Sequence, residues 1–215
     1  DDGATVLADQ AALLTRIRAL GYAPLLAEAL NQRAAIAEGA GDMPAARAAI
    51  DEAIEVATRS NNRAALARSH YINTIVQNDL GASTETDRAL GLARAAAVEQ
   101  PRGMGLRVEL TAQTIAIHRG RSADTIAALR TLLLDCSTVK PAEPVLCIDI
   151  QQALIAALFD ARKRDEIIAE LPLLDAAITT QLGRDNQRYA VFLANQIGIG
   201  TLEESAAKGE AALAI

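Results

Sequence analysis

The chain has 215 residues, of which 51% are hydrophobic and 2% aromatic with no Trp, and its formal net charge is −6. That apolar content is enough for a sizeable core and excludes a disordered chain, while the acidic balance and the lack of any Lys/Arg run exclude the electrostatic footprint of a nucleic-acid binder. Apolar runs such as 153–159 fall short of the roughly 20 residues a membrane span needs, and the amino-terminal residues lack a basic and apolar signal pattern, so the expectation is a soluble, cytoplasmic protein.

Asp1 stands where an initiator Met would, so the expectation is a fragment or processed piece of something longer. Val6, Leu7, Leu13, Leu14, Ile17 and Leu20 recur at helical spacing up to Gly21, like the second helix of a pair whose first helix was cut away. Residues 22–38 predict a first helix with Leu25, Leu26, Leu30, Ala34 and Ala37 inward. Gly41 and Asp42 turn the chain, Pro44 suits a first helical turn, and residues 44–59 predict the partner helix, with Ala46, Ile50, Ala53 and Ile54 inward. Asn61 and Asn62 form the turn between units.

The hairpin recurs over 62–80, stopped by Gly81, followed by a helix to Val98 for which Ser83 or Thr84 is the expected cap. Pro101 and Gly103 break the chain, 104–119 is the next first helix, Gly120 stops it, and Ser122 is the expected cap of a helix carrying Ile126, Leu129, Leu132 and Leu133. After the irregular stretch 135–144, helices are predicted over 145–161 and 165–181, joined at 162–164 without a glycine, with a kink at Pro172. A last, poorer pair covers 184–199 and 202–214.

The turns at Gly41, Gly81, Gly120, Lys163 and Gly200 are spaced at about 40 residues, in the range of helical repeats. One pair cannot bury its own apolar faces, so pairs must stack. The expected fold is all-α, a single repeat domain over 1–215 built as a solenoid of about five antiparallel helix pairs, with units 1–21 (partial), 22–61, 62–101, 102–142, 143–183 and 184–215.

Little in the chain points to chemistry. Cys136 and Cys147 do not make a zinc site, which wants closer spacing and more ligands; a disulfide or redox role stays open beside the preferred reading of two unrelated thiols. His70 and His118 lack converging partners and read as surface or structural. The Gly103–Gly105 and Gly198–Gly200 fragments lack a third glycine and a preceding strand, so they punctuate helices. Asp51, Glu52 and Glu55 lie a helical turn from Arg47 and Arg59 and read as solvated pairs. No cofactor, no metal and no catalytic residue is expected.

Gly41, Asp42, Ala46, Ala53 and Ile54 resemble the motif of the tetratricopeptide repeat (TPR) family, in which Gly and Asp make the hairpin turn and small residues let the helices cross closely. The stretch ALGYAPLLAEAL, entering AGDMPAARAAIDEAI, is similar to the Ala-rich helical tails of some bacterial serine/threonine protein kinases and to sensor regions of bacterial ATPase-type transcription regulators. The kinase motifs themselves are absent from the chain. The resemblance implies a TPR-like superhelix whose first helices line a concave groove. Family positions counted back from each turn select Glu28, Asn31 and Glu38, then Arg68, Tyr71 and Asn78, then Arg107 and Thr114, then Asp160 and Gln187.

The expected function is a non-catalytic protein-interaction module binding a peptide or partner domain through Glu28, Asn31, Arg68, Tyr71, Asn78, Arg107 and Thr114. Two alternatives stay open: a regulatory or sensor tail of a bacterial kinase or transcription regulator, and a small-molecule-binding helical sensor or enzyme. Expected partners are proteins or peptides, with neither nucleic acid nor membrane, and self-association into a homo-oligomer stays open.

Overall fold

In the computed structural model, residues 2–186, 189–190, 192–193, 207–209 and 211–212 are described, residues 2–10 by their backbone alone. The described residues are helical, without strands. They form α1 (Asp2–Leu20), α2 (Ala23–Gly39), α3 (Met43–Arg59), α4 (Arg63–Asp79), α5 (Ser83–Ala97), α6 (Arg102–His118), α7 (Ser122–Cys136), α8 (Pro144–Asp160) and α9 (Arg164–Leu182). These bounds follow the predicted helices to within a few residues. The predicted fifth pair, with Gln187 and the Gly198–Gly200 fragment, lies largely outside the described residues. Contacts gather the chain into two compact units, Asp1–Ala112 and Gln113–Ile215, and the division falls within α6.

One turn chemistry closes five of these helices. At Gly41, Asn61, Gly81, Gly120 and Arg162 the backbone enters the left-handed region, with φ of 77°, 51°, 71°, 75° and 57°. Each of these residues donates its N–H to the carbonyl three residues back, and the next residue donates to the carbonyl five back, at 2.8–3.1 Å. This reciprocal pair satisfies carbonyls that the helix end would otherwise leave open. Gly is the cheapest residue there, and Asn tolerates it. Arg162 does neither, so the turn without a glycine adopts the same shape at a conformational cost. No atom would crowd a Cβ at Gly81. Gly81→Ala is therefore expected to lose about 1 kcal/mol or more from backbone conformation alone, and Arg162→Gly to gain about 0.5–1 kcal/mol, read as opposite shifts of the urea midpoint.

The capping residues differ in part from expectation. Asp42 and Asn62 cap α3 and α4, accepting hydrogen bonds from the Ala45 and Ala65 amides at 3.1 Å. Ser83 and Ser122 do not cap: each is the first residue inside its helix, and Ala82 and Arg121 hold the cap positions without a side-chain bond. Ser122 is buried instead and donates to Asp160 at 2.9 Å. Helix α9 continues through Pro172, which lies on an exposed side where water can reach the carbonyl its ring leaves unbonded.

In the first unit α2 packs on both α3 and α4, and α4 on α5. Alanine dominates the core: Ala27, Ala34, Ala37, Ala46, Ala53, Ala57 and Ala65 are all fully buried around Leu30, Ile50 and Val76. Small side chains bring helix axes close and leave little room for substitution. In the second unit α8 packs on α7 and α9, and Ile148, Leu174, Ile178 and Phe192 form a core with larger residues. An ion pair ties second helices of consecutive hairpins in each unit, at different levels along them: Arg18 at the end of α1 to Glu52 in mid-α3, and Arg130 in mid-α7 to Glu166 in the first turn of α9.

Cys136 and Cys147 are joined in a disulfide, which corrects the expectation of two unrelated thiols. The last residue of α7 and the fourth of α8 approach to 5.6 Å between Cα atoms, because the loop between them folds back with Val139 buried. An eleven-residue separation spanning two prolines carries no geometric signature of that return.

Candidate functional site

Helices α2 and α4 lie side by side and carry most of the residues proposed to meet a partner. Near the amino-terminal end of this face Arg68 pairs with Glu28 at 3.5 Å, both side chains well exposed. At the opposite end the two helices stop together, and Glu38, Asn78 and Asp79 gather there. The Asn78 amide donates to the Asp79 carboxylate at 3.2 Å. Burial, then hydrogen bonding with Asp79 and repulsion from its charge, push the Glu38 carboxyl above its ordinary value. Both carboxylates also sit at helix carboxyl ends, where the backbone dipoles are negative. That end of the face is a centre of negative potential for which a cation is the natural counterpart.

Of the other predicted residues, Tyr71 is half-buried and packs against the core clusters on both sides of α4. Arg107 is half-buried on α6 and engaged within the fold. Thr114 lies on α6 within the second unit. Asp160, also in the second unit, accepts the Ser122 bond described above. Asn31 is corrected: it is 0% exposed and cannot meet a partner. Its amide nitrogen donates to the Ala65 carbonyl at 3.1 Å, and the Ser69 hydroxyl lies 2.8 Å from its oxygen, so it pins α2 to the first turn of α4.

A partly buried polar row on α4 was missed. His70, Asn73, Thr74 and Gln77 follow at i, i+3, i+4 and i+7, one face of the helix. Gln77 donates to Asn73 at 3.1 Å and Thr74 to the His70 carbonyl at 2.9 Å, while His70 Nδ1 and Gln77 Oε1 are buried without a protein partner. Burial pushes the His70 imidazole below its usual value, so it is neutral at pH 7. The signal was available: one repeat earlier, the positions of His70, Thr74 and Gln77 are Leu30, Ala34 and Ala37, all buried in the core.

In the second unit a cleft of about 440 Å³ is lined by Leu133, Leu134, Leu154 and Cys147 together with Arg130, Ser137 and Glu170. Among the described residues no cluster of His, Cys, Asp and Glu is arranged to hold a metal ion, and no helix is long and apolar enough to cross a membrane.

The two titrating groups of the first unit act in opposite directions. Glu38 holds its proton more tightly folded than unfolded, so it contributes stability that declines as pH rises from about 4.5 through its raised value. His70 binds its proton less tightly folded, so its contribution is lost as pH falls from about 6.5 through its lowered value. Asp79→Asn removes the repulsion, and is expected to raise the melting temperature at pH 7 while leaving it little changed at pH 4.5. An equal shift at both pH values would show that Asp79 does not act on Glu38.

No family model, curated protein or solved structure matches this chain.

Proposed function

We propose that the chain is a non-catalytic protein-interaction module of TPR-like helix pairs, stacked as a superhelix, which takes a peptide or partner domain on the α2/α4 face. The recurrence of one closing turn, and an ion pair between second helices in each unit, support the stacking. The observation that carries the function is the asymmetry of the face: a Glu28–Arg68 pair at one end and the Glu38 and Asp79 carboxylates at two helix ends at the other. An extended or helical segment with Lys or Arg toward one terminus is complementary to that arrangement. The Cys136–Cys147 bridge supports a working place where disulfides persist, rather than the cytoplasm expected from composition.

The test is selection of random peptides displayed on phage against the intact chain. Selected peptides are expected to be enriched in Lys and Arg, and to bind the Glu38→Gln, Asp79→Asn double variant about fivefold more weakly, the effect of roughly 1 kcal/mol of lost charge pairing. Arg68→Ala is expected to keep the helical content and to bind the same basic peptides more tightly, because it leaves the Glu28 carboxylate unpaired. Peptides without basic enrichment, or indifferent to these changes, would place the binding face elsewhere.

A further inference from the structure

The repeat is in strict register from α1 to α4. Gly21 and Asn61 close α1 and α3, and Gly41 and Gly81 close α2 and α4, each pair 40 positions apart and each in the left-handed region. Every residue of α1 and α2 thus has a counterpart 40 positions later in α3 and α4. Burial can then be compared position by position. On α4, Ala65, Ser69, Ile72 and Val76 form one stripe, at i, i+4, i+7 and i+11, and are 5% exposed or less, with α2 packed on α4 and its Asn31 bonded to Ala65 and close to Ser69. Their counterparts on α2 are Leu25, Ala29, Gln32 and Ile36. Leu25 is 42% exposed, Gln32 is exposed, and Ala29 and Ile36 are half-buried. On α3 Ala53 is fully buried, whereas its counterpart on α1, Leu13, is 51% exposed.

The α1/α2 pair therefore repeats the seat that α3 and α4 offer to α2, with nothing of the described chain lying on it. We propose that this seat is a docking surface for a partner helix with the pattern of α2. The seat also states what that helix must be. Leu13 and Leu25 stand where α3 and α4 present Ala53 and Ala65, so the seat is filled with larger side chains and needs an occupant with small ones, as α2 has in Ala27, Ala34 and Ala37. An Asn at the position of Asn31 would meet the Leu25 carbonyl, as Asn31 meets that of Ala65. Charge fixes the register. Glu28 lies opposite Arg68, 40 positions on, so the occupant's residue at position 28 lies opposite Glu28 itself. A basic residue there suits the seat, and Glu there opposes it. The occupant is an Ala-faced amphipathic helix with Lys or Arg at that position. This surface shares Glu28 with the α2/α4 face, but its apolar positions Leu13 and Leu25 lie outside that face, so the test below separates the two readings.

The probe is a fluorescein-labelled synthetic peptide with the sequence of residues 22–40 carrying Glu28→Lys, titrated with the intact chain and followed by fluorescence anisotropy. Saturable binding is expected, at least tenfold weaker to the Leu13→Glu, Leu25→Glu double variant. It should be unchanged for Leu92→Glu, a similarly exposed leucine on α5. Both altered positions are exposed, and circular dichroism of the variants checks that they fold. The same peptide retaining Glu28 is expected to bind about threefold more weakly, the size of one exposed charge reversal. No saturable binding, binding indifferent to Leu13 and Leu25, or equal binding of the two peptides would overturn the proposal. So would a wild-type chain whose mass doubles by light scattering and returns to monomer in the double variant, since the seat would then belong to a second copy.

Discussion

Replacing Asn31 with Asp is expected to lower the stability of the first unit at neutral pH by about 3–5 kcal/mol, the cost of a buried charge without a compensating partner. Asn31 is fully buried, with its amide nitrogen 3.1 Å from the Ala65 carbonyl. An ionised Asp can only accept hydrogen bonds. It would place a carboxylate oxygen against that carbonyl, and the Ser69 hydroxyl would be the one donor of the Asn31 site left to it. Burial raises such a carboxyl, so the folded variant binds its proton more tightly than the unfolded one. The penalty is then full at neutral pH and shrinks as pH falls through the raised value, where a protonated Asp can donate to Ala65 again. Asn31→Ala introduces no charge and is expected to cost about 2–3 kcal/mol from the lost bond and the space it leaves, with no such recovery in acid. Urea unfolding of the three proteins at pH 7 and pH 5 separates the cases. An Asp variant as stable as wild type at pH 7 would mean that α2 and α4 part easily and that Asn31 does not pin them.

The same residue shows how far the sequence could be read. Helix bounds were legible because glycine marks a left-handed closure and apolar spacing marks the helices, and Arg162 adopts the turn the period called for although its identity does not advertise it. What a polar side chain does at a given position was not legible. Asn31 sits on a first helix at a position that a groove would use, and one residue type serves a water-exposed face and a buried inter-helix bond equally well. The distinction is made by Ala65 and Ser69, 34 and 38 residues away. Glu28 and Arg68 met as an exposed pair, whereas the crowding of Glu38 by Asp79 depends on two helices ending at the same level. The partly buried row on α4 required comparing repeats for burial rather than for motif residues.

Reducing the Cys136–Cys147 disulfide is expected to destabilise the second unit by about 3 kcal/mol, the loop-closure entropy of a dozen-residue ring. The turns closed by Gly41, Asn61, Gly81 and Arg162 join consecutive helices through three residues, whereas α7 and α8 are separated by the seven residues 137–143. A loop of that length with Val139 as its buried residue has little apolar contact to hold the two helices in register. The bridge supplies the constraint instead, joining the end of α7 to the first turn of α8 and leaving Cys147 against the apolar cleft between α7, α8 and α9. A Cys136→Ala, Cys147→Ala double variant should match the reduced protein in its urea midpoint, and both should lose amide-exchange protection first in the last turn of α7 and the first turn of α8. If reduction leaves the midpoint unchanged, Val139 and the α7/α8 packing hold the loop unaided. The chemistry of the bridge also bears on where the protein works. Thiols kept reduced by a cytosolic glutathione pool would forgo this stabilisation, so protein recovered from its natural source is expected to yield no alkylatable thiol before reduction and two after it.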